Sequence, residues 1–280
     1  MPELPEVETI RRGLSKYIVR KKIREIQVLC EKSFIGDLTE VEGREILEIQ
    51  RRGKALLIRL GGGKVLMVHL RMTGQMIYQG KERFAGGHPN ENFLEELPNK
   101  QTRVIFSLTE GKLFFNDQRK FGFIKVLGED EVEEEAFIRK LAKEPWEMTE
   151  EEFFEVLQRK KVAIKAALLD QSVVAGLGNI YTDEALYQSG IHPKTLTDSL
   201  NQAQAGILLK NARGVMEKSI GLGGSTIRNY LNADGTRGNY LDKFAKVYGR
   251  EGEKCEKCGG KIKKIRVAGR GTYFCEECQR

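Results

Sequence analysis

Two paired-cysteine knuckles near the end of the chain constrain its folding most. Cys255-x2-Cys258 and Cys275-x2-Cys278 are separated by sixteen residues. Four thiolates at this spacing fit the corners of one tetrahedral metal site. No basic-then-apolar leader opens the sequence, so export is not expected and metal ligation is favoured over disulfides. Four Cys ligands leave no open coordination position, so the expected cofactor is one structural Zn2+ rather than a catalytic ion. Between the knuckles, residues 261–267 and 271–274 read as a β-hairpin, with Arg270 in the turn Gly269-Arg270-Gly271. An Arg at such a tip suits a nucleic-acid backbone, or is simply exposed on a stabilising staple. The fifth cysteine, Cys30, lies in a strand-like stretch and reads as a small buried hydrophobe.

The remaining chain is long enough for two domains. It has 280 residues, 40% hydrophobic and 31% charged, which fits globular rather than disordered character. No run of 18 apolar residues occurs, so no membrane span is expected. The net charge is +7, unevenly spread: residues 129–152 hold eleven acids and three bases, leaving the rest strongly basic. This distribution suggests a polyanion partner with the acidic segment turned away from it, or an ordinary solvated acidic helix. Residues 240–280 hold eleven bases and six acids, so the metal module is itself basic.

Pro5, Glu6 and Glu8 suit a helix N-terminus, and Val7, Ile10, Leu14 and Tyr17 mark one face of that helix. From residue 23 to about 127 the pattern becomes short β runs. Strands over 54–60 and 64–70 join at Gly61-Gly62-Gly63, strands over 103–109 and 112–115 meet across Glu110-Gly111, and 123–127 forms another. Many short strands with turn punctuation predict a β-sandwich. Residues 80–100 read as a long loop. The acidic segment reads as a helix broken by Pro145, which makes 129–148 a linker. Thr149 and Glu152 form a capping box for the next helix. Short helices over 163–170 and 180–188 flank a Gly-rich connector, and a long helix over 200–220 begins at Asp198 or Ser199. The connector places backbone N–H groups at a helix N-terminus, a phosphate clamp or a plain chain reversal. The Gly-rich, aperiodic 221–239 stretch reads as a functional loop.

The first six residues, Met1-Pro2-Glu3-Leu4-Pro5-Glu6, carry potential chemistry. Loss of the initiator Met ahead of Pro leaves a free secondary amine at Pro2. An α-amino group has a pKa of roughly 7.7–8.0, so much of it is a neutral nucleophile near neutral pH. Addition to an aldehyde-level carbon gives an iminium, an electron sink. Glu3 and Glu6 stand close enough in sequence to move protons. The plainer alternative is a start residue with two acids at a helix N-terminus.

Over essentially its whole length the chain resembles the formamidopyrimidine-DNA glycosylases, also called 8-oxoguanine DNA glycosylase/AP lyases. The resemblance is carried by Pro2-Glu3-Leu4-Pro5-Glu6-Val7-Glu8-Thr9, Arg51-Arg52-Gly53-Lys54 and His69-Leu70-Arg71-Met72-Thr73-Gly74. It continues in Asp117-Gln118-Arg119-Lys120-Phe121-Gly122, Gly176-Leu177-Gly178-Asn179-Ile180-Tyr181 and the four-cysteine finger with Gly269-Arg270-Gly271-Thr272. It implies an α+β protein in four parts. Residues 1–128 form an N-terminal helix plus β-sandwich catalytic domain, followed by the acidic linker 129–148. Residues 149–246 form a helical helix-two-turn-helix domain carrying a Gly-rich lesion loop at 221–240. Residues 247–280 form the zinc finger.

The resemblance also implies site residues. Pro2 attacks C1′ of a damaged nucleoside, Glu3 gives general acid/base help and Glu6 supports the site. Lys54, Asn179 and Arg270 hold phosphates around the lesion, and Lys165 lies near the second domain's DNA site. Met72, Arg119 and Phe121 fill the hole left by a flipped nucleotide and read the orphaned base. Met72 and Phe121 would otherwise read as ordinary core. The partner implied is damaged double-stranded DNA bound by a monomer, without a membrane, in a cytoplasmic, nucleoid-associated setting. Lys100-Gln101-Thr102-Arg103 departs from the Lys-His-x-His-like stretch of many relatives and has no assigned role. Two alternatives are an endonuclease VIII-type glycosylase for oxidised pyrimidines and a zinc-finger DNA-binding protein without activity.

Overall fold

The computed structural model describes residues 2–87, 96–224 and 245–280. The expected loop residues His88-Pro89-Asn90, and all but the first residues of the lesion loop 221–240, lie outside that set. The chain forms two compact units. The first runs to Arg139 and takes in Gly223 and Gly224, and the second holds Lys140–Leu222 with residues 245–280.

The first unit contains two five-stranded sheets. One has the order β1 (Ile23–Val28), β8 (Thr102–Leu108), β9 (Lys112–Asp117), β6 (Gly74–Gln79) and β7 (Arg83–Gly87). The other runs β2 (Phe34–Ile35), β10 (Phe123–Gly128), β5 (Lys64–His69), β4 (Ala55–Leu60) and β3 (Ile46–Arg52). Alternate residues of the two sheets share one core: Met76, Tyr78, Val104, Phe106 and Phe115 from the first, Leu56, Ile58, Leu66, Val68 and Ile124 from the second. That period-2 burial is what a sandwich requires. Helix α1 (Leu4–Ile18) enters the same core with Val7, Ile10, Leu14 and Ile18, each with no exposed surface. Gly13 lets the helix seat closely, because a Cβ there would lie 2.1 Å from the Phe84 ring of β7.

Three sequence expectations in this unit are corrected. Part of the expected 80–100 loop is strand β7, paired with β6 from Gln75↔Gly87 to Gln79↔Arg83. The acidic segment does not make a long helix. Only α2 (Ala136–Arg139) and a 3-10 turn at Pro145–Glu147 are helical there. Acids spaced along one face repel each other in a helix. Here Glu129, Glu133 and Glu135 pair instead with Arg59, Arg52 and Lys125. Cys30 is likewise only half-buried and follows β1 rather than lying in it.

In the second unit, α3 (Glu150–Gln158) opens with the expected box. Glu152 N–H donates to Thr149 Oγ1 at 3.1 Å and Thr149 N–H to Glu152 Oε2 at 3.0 Å. Helices α4 (Ile164–Leu169) and α5 (Asn179–Ser189) follow. The long helix α6 (Gln202–Gly221) is capped by Asn201 boxed with Gln204, not by Asp198 or Ser199, which sit in a preceding 3-10 turn. Strands β11 (Ile262–Val267) and β12 (Arg270–Cys275) form the terminal hairpin. Among the described residues, no helix is long and apolar enough to cross a membrane.

Candidate active site and nucleic-acid interface

The first unit fixes the start of the chain. Pro2 is buried, and Glu3 and Glu6 are 3% and 7% exposed. Glu3 is the N-cap of α1, and its N–H donates to Glu6 Oε2 at 2.8 Å. That bond satisfies a helix-end donor and ties the Glu6 carboxylate to the backbone of the residue after Pro2, while the Glu3 side chain completes the capping box at the Glu6 backbone. Gly224, at the entrance to the lesion loop, packs here too: a Cβ on it would lie 3.3 Å from Glu6 Oε1.

Lys54, 6% exposed, stands in the turn between β3 and β4. Glu8 couples that turn to α1. Its carboxylate accepts from Arg11 at 2.8 and 2.9 Å, Arg12 at 2.8 Å and Arg51 Nε at 3.2 Å. Arg51 also donates to the Gly53 carbonyl at 3.1 Å, next to Lys54. Burial alone would raise the Glu8 pKa, but hydrogen bonds from Arg11 and Arg12 and the charges of Arg11 and Arg51 hold it at about 2. The folded value lies below the free value, so the stabilisation is complete above pH 4.5 and is lost as pH falls toward 2. It amounts to no more than about 3 kcal/mol. Thermal melts between pH 6 and about 3 should show a stability loss that Glu8→Gln removes. Parallel curves for parent and variant would contradict it.

His69 ends β5 and pairs with Ala55, the residue after Lys54. The sequence reading gave it no role. Its Nδ1 accepts the Arg71 N–H at 3.0 Å. Burial, then the charges of Arg71 and Lys54, push its pKa down to about 3. The ring is therefore neutral with its proton on Nε2, a fixed donor in the neighbourhood of Lys54. Its place in the His69-Leu70-Arg71-Met72-Thr73-Gly74 motif was the available signal.

Met72 is half-buried in the β5–β6 connection, and Arg119 and Phe121 are exposed in the β9–β10 connection. Phe121 is 55% exposed, which is not a core position. The Arg119 guanidinium lies 4.8 Å from the Phe121 ring centroid, a cation–π pair standing clear of the sandwich.

The second unit carries Lys165, Asn179, Arg270 and the four cysteines. Arg270 is exposed, but it is the first residue of β12 and not part of the turn. Ala268 and Gly269 take the two left-handed turn positions, at φ 50° and 71°. Lys165, expected near the second domain's DNA site, lies inside the domain and not on its surface. It has no exposed surface, so in this conformation its ammonium faces the protein interior and not the outside. Its Nζ donates to Asp183 Oδ1 at 2.7 Å and to the Gly271 carbonyl at 3.2 Å. Asn179 Nδ2 donates to the same carbonyl at 2.9 Å, and Tyr273 N–H donates to Asp183 Oδ2 at 2.9 Å. This knot ties α4 and α5 to the strand that begins with Arg270.

The four cysteine sulfurs lie within 4.8 Å of one another. Cys255 and Cys278 sulfurs are 3.8 Å apart, and those of Cys258 and Cys275 3.5 Å. A tetrahedral Zn–S site with bonds of about 2.3 Å needs edges of ~3.8 Å, so the cluster fits one structural zinc. Tyr187 of α5 shares a 3.2 Å hydrogen bond with Cys255 Sγ, and Cys255, Cys275 and Ile262 pack with Tyr187 and Val247.

Each part of the chain matches a known family domain. A profile for the Formamidopyrimidine-DNA glycosylase N-terminal domain covers residues 1–124, one for its H2TH domain 141–230, and one for the zinc finger found in FPG and IleRS 252–280. The chain belongs to the formamidopyrimidine-DNA glycosylase family. Family relatives include the protein of Desulfitobacterium hafniense, 40% identical over 289 residues with both chains fully covered. That of Pelotomaculum thermopropionicum is 40% identical over 288 residues, covering 100% of this chain and 99% of its own. The Lactococcus lactis family enzyme, solved with DNA containing N7-benzyl-Fapy-dG, is 37% identical with a TM-score of 0.88 and full coverage of both chains. The same enzyme bound non-covalently to DNA containing an AP site gives 35% and 0.86, again with full coverage. Membership makes the chain a DNA glycosylase of base excision repair with a four-cysteine zinc finger.

Proposed function

We propose that this family member excises oxidised purines, 8-oxoguanine and formamidopyrimidines, from duplex DNA and then cuts the strand. The Pro2 nitrogen attacks C1′ of the extruded nucleoside, the N-glycosidic bond breaks and the base departs with a proton. Glu3 protonates the sugar ring oxygen, opening the ring at C1′ so that the base leaves with the proton from the Pro2 N–H and the iminium remains, and Glu6 holds Glu3 in place. The iminium acidifies C2′, so β- and then δ-elimination expel the 3′ and 5′ phosphates. Lys54, Asn179 and Arg270 bind phosphates around the lesion, while Met72, Arg119 and Phe121 fill the vacated stack. Lys165 serves this interface indirectly, by holding the strand that carries Arg270. The protein acts as a monomer on nucleoid DNA.

The observation that carries this reading is the seating of the N-terminus. An imino acid and two carboxyl groups are locked against the sandwich by a helix whose apolar face has no exposed surface. A duplex with one 8-oxoguanine opposite cytosine tests it. Free base and a one-nucleotide gap bearing phosphates at both ends are expected. Binding without release would favour a non-catalytic zinc-finger protein, and faster release of thymine glycol an oxidised-pyrimidine enzyme.

Arg270→Ala is expected to weaken binding of all duplex sequences alike and to lower the slope of log K against log salt by about one. Titrations at several salt concentrations measure both. An unchanged slope would remove Arg270 from the phosphate contacts.

A further inference from the structure

Asp117 has no role in the reading above, and neither has the divergent stretch Lys100-Gln101-Thr102-Arg103. The fold brings them together. Residues 70–73 connect β5 to β6, and residues 118–122 connect β9 to β10. Both cross from one sheet to the other at the same end of the sandwich, since His69 pairs with Phe123 and Gly74 with Asp117. Met72 lies on the first crossing, Arg119 and Phe121 on the second.

Asp117 has no exposed surface. Its Oδ1 accepts the Thr73 hydroxyl of the first crossing and, at 3.1 Å, the Arg119 N–H of the second, which also donates to Thr73 Oγ1 at 3.0 Å. Its Oδ2 accepts the Phe121 N–H at 2.8 Å and the Gly122 N–H at 2.7 Å. One buried carboxylate thus binds both crossings. Arg103 braces it from behind. This Arg is 8% exposed, and donates Nε to the Asp117 carbonyl at 2.8 Å and Nη1 to the Lys100 carbonyl at 3.0 Å. Asp117 N–H in turn donates to the Gln101 carbonyl at 2.9 Å. Arg71 and Lys120, one on each crossing, hold left-handed φ values of 50° and 57°, which persist only where the surroundings over-determine the backbone. Arg119 and Phe121 are exposed, so core packing does not fix them and the backbone bonds to Asp117 and to the Thr73 hydroxyl it holds must.

We infer that Asp117, braced by Arg103, is the positioning residue of the wedge and, through Arg119, sets which orphaned base is tolerated opposite the lesion. This rests on the reading of Met72, Arg119 and Phe121 as that wedge. A guanidinium fork discriminates base edges only when it is held in one place; once loosened it accepts any acceptor edge.

The test is single-turnover release of 8-oxoguanine opposite cytosine and opposite adenine, with borohydride trapping of a preformed abasic site as a second readout. D117N, R103M and T73V are compared with the parent protein and with R119A. The cytosine-to-adenine rate ratio should fall by about fivefold or more in D117N and R103M, while abasic-site trapping stays within about twofold. A merely destabilised sandwich would lower both rates and leave their ratio alone. Should D117N fail to fold, R103M and T73V carry the test. Ratios within about twofold of the parent in both, with R119A lowering it, would overturn the positioning role. If R119A also leaves the ratio unchanged, the wedge reading itself fails and the inference falls with it.

Discussion

Glu3→Gln is expected to slow base release by about 10²–10⁴-fold, the usual contribution of a positioned proton donor. Binding of lesion DNA should survive. Gln keeps the size of Glu and can still cap α1, and the backbone bond from residue 3 to Glu6 Oε2 does not involve the altered side chain. What disappears is the transferable proton at a group only 3% exposed, where bulk water is a poor substitute. Single-turnover release measured beside fluorescence anisotropy separates the two effects. Unaltered release would remove Glu3 from the chemistry, and lost binding would make its role structural.

Zinc removal should be as severe by a different route. Four thiolates crowded within 4.8 Å have no reason to stay together without a cation. Structural zinc sites in small modules are worth about 10–16 kcal/mol in apparent binding free energy, so the hairpin should unfold without the ion. Arg270 and the Gly271 carbonyl that joins Lys165 and Asn179 then lose their places. Chelation or Cys275→Ser should therefore release one zinc per chain and abolish high-affinity binding of lesion DNA. The N-terminal sandwich, with its own core, should keep its β circular dichroism. Full affinity in zinc-free protein would contradict this.

The parts of the molecule that could be read from sequence were those with local, side-chain-specific signals. The hairpin at Gly61-Gly62-Gly63, the Thr149–Glu152 box and the two CxxC knuckles each depend on residues a few positions apart, and each appears in the structure. Strand β7 escaped because its end, Ala85-Gly86-Gly87, has little side-chain alternation to read. The sheet order, with β1 beside β8 and β2 beside β10, depends on pairings across tens of residues that no local pattern encodes. The acidic stretch looked helical by composition, but its carboxylates found cations on the sheet. Lys165 is the sharpest case. A lysine is buried only when a partner awaits it. Asp183, eighteen positions away, gives no sign of being that partner until α4 and α5 pack together. The residues proposed for the N-terminal site crowd into six positions and could be nominated from the sequence, whereas the buckle at Asp117 could not, because its donors come from both crossings.

The central claim is that an unblocked Pro2 nitrogen is the nucleophile. Intact-protein mass spectrometry, followed by borohydride reduction on an 8-oxoguanine duplex and peptide mapping of the adduct, tests it most directly. The account predicts a chain beginning at Pro2, joined irreversibly to DNA through that residue, and no adduct from protein retaining Met1. An equal yield of adduct from the Met1-retaining form, or a crosslink mapped to a lysine, would contradict it.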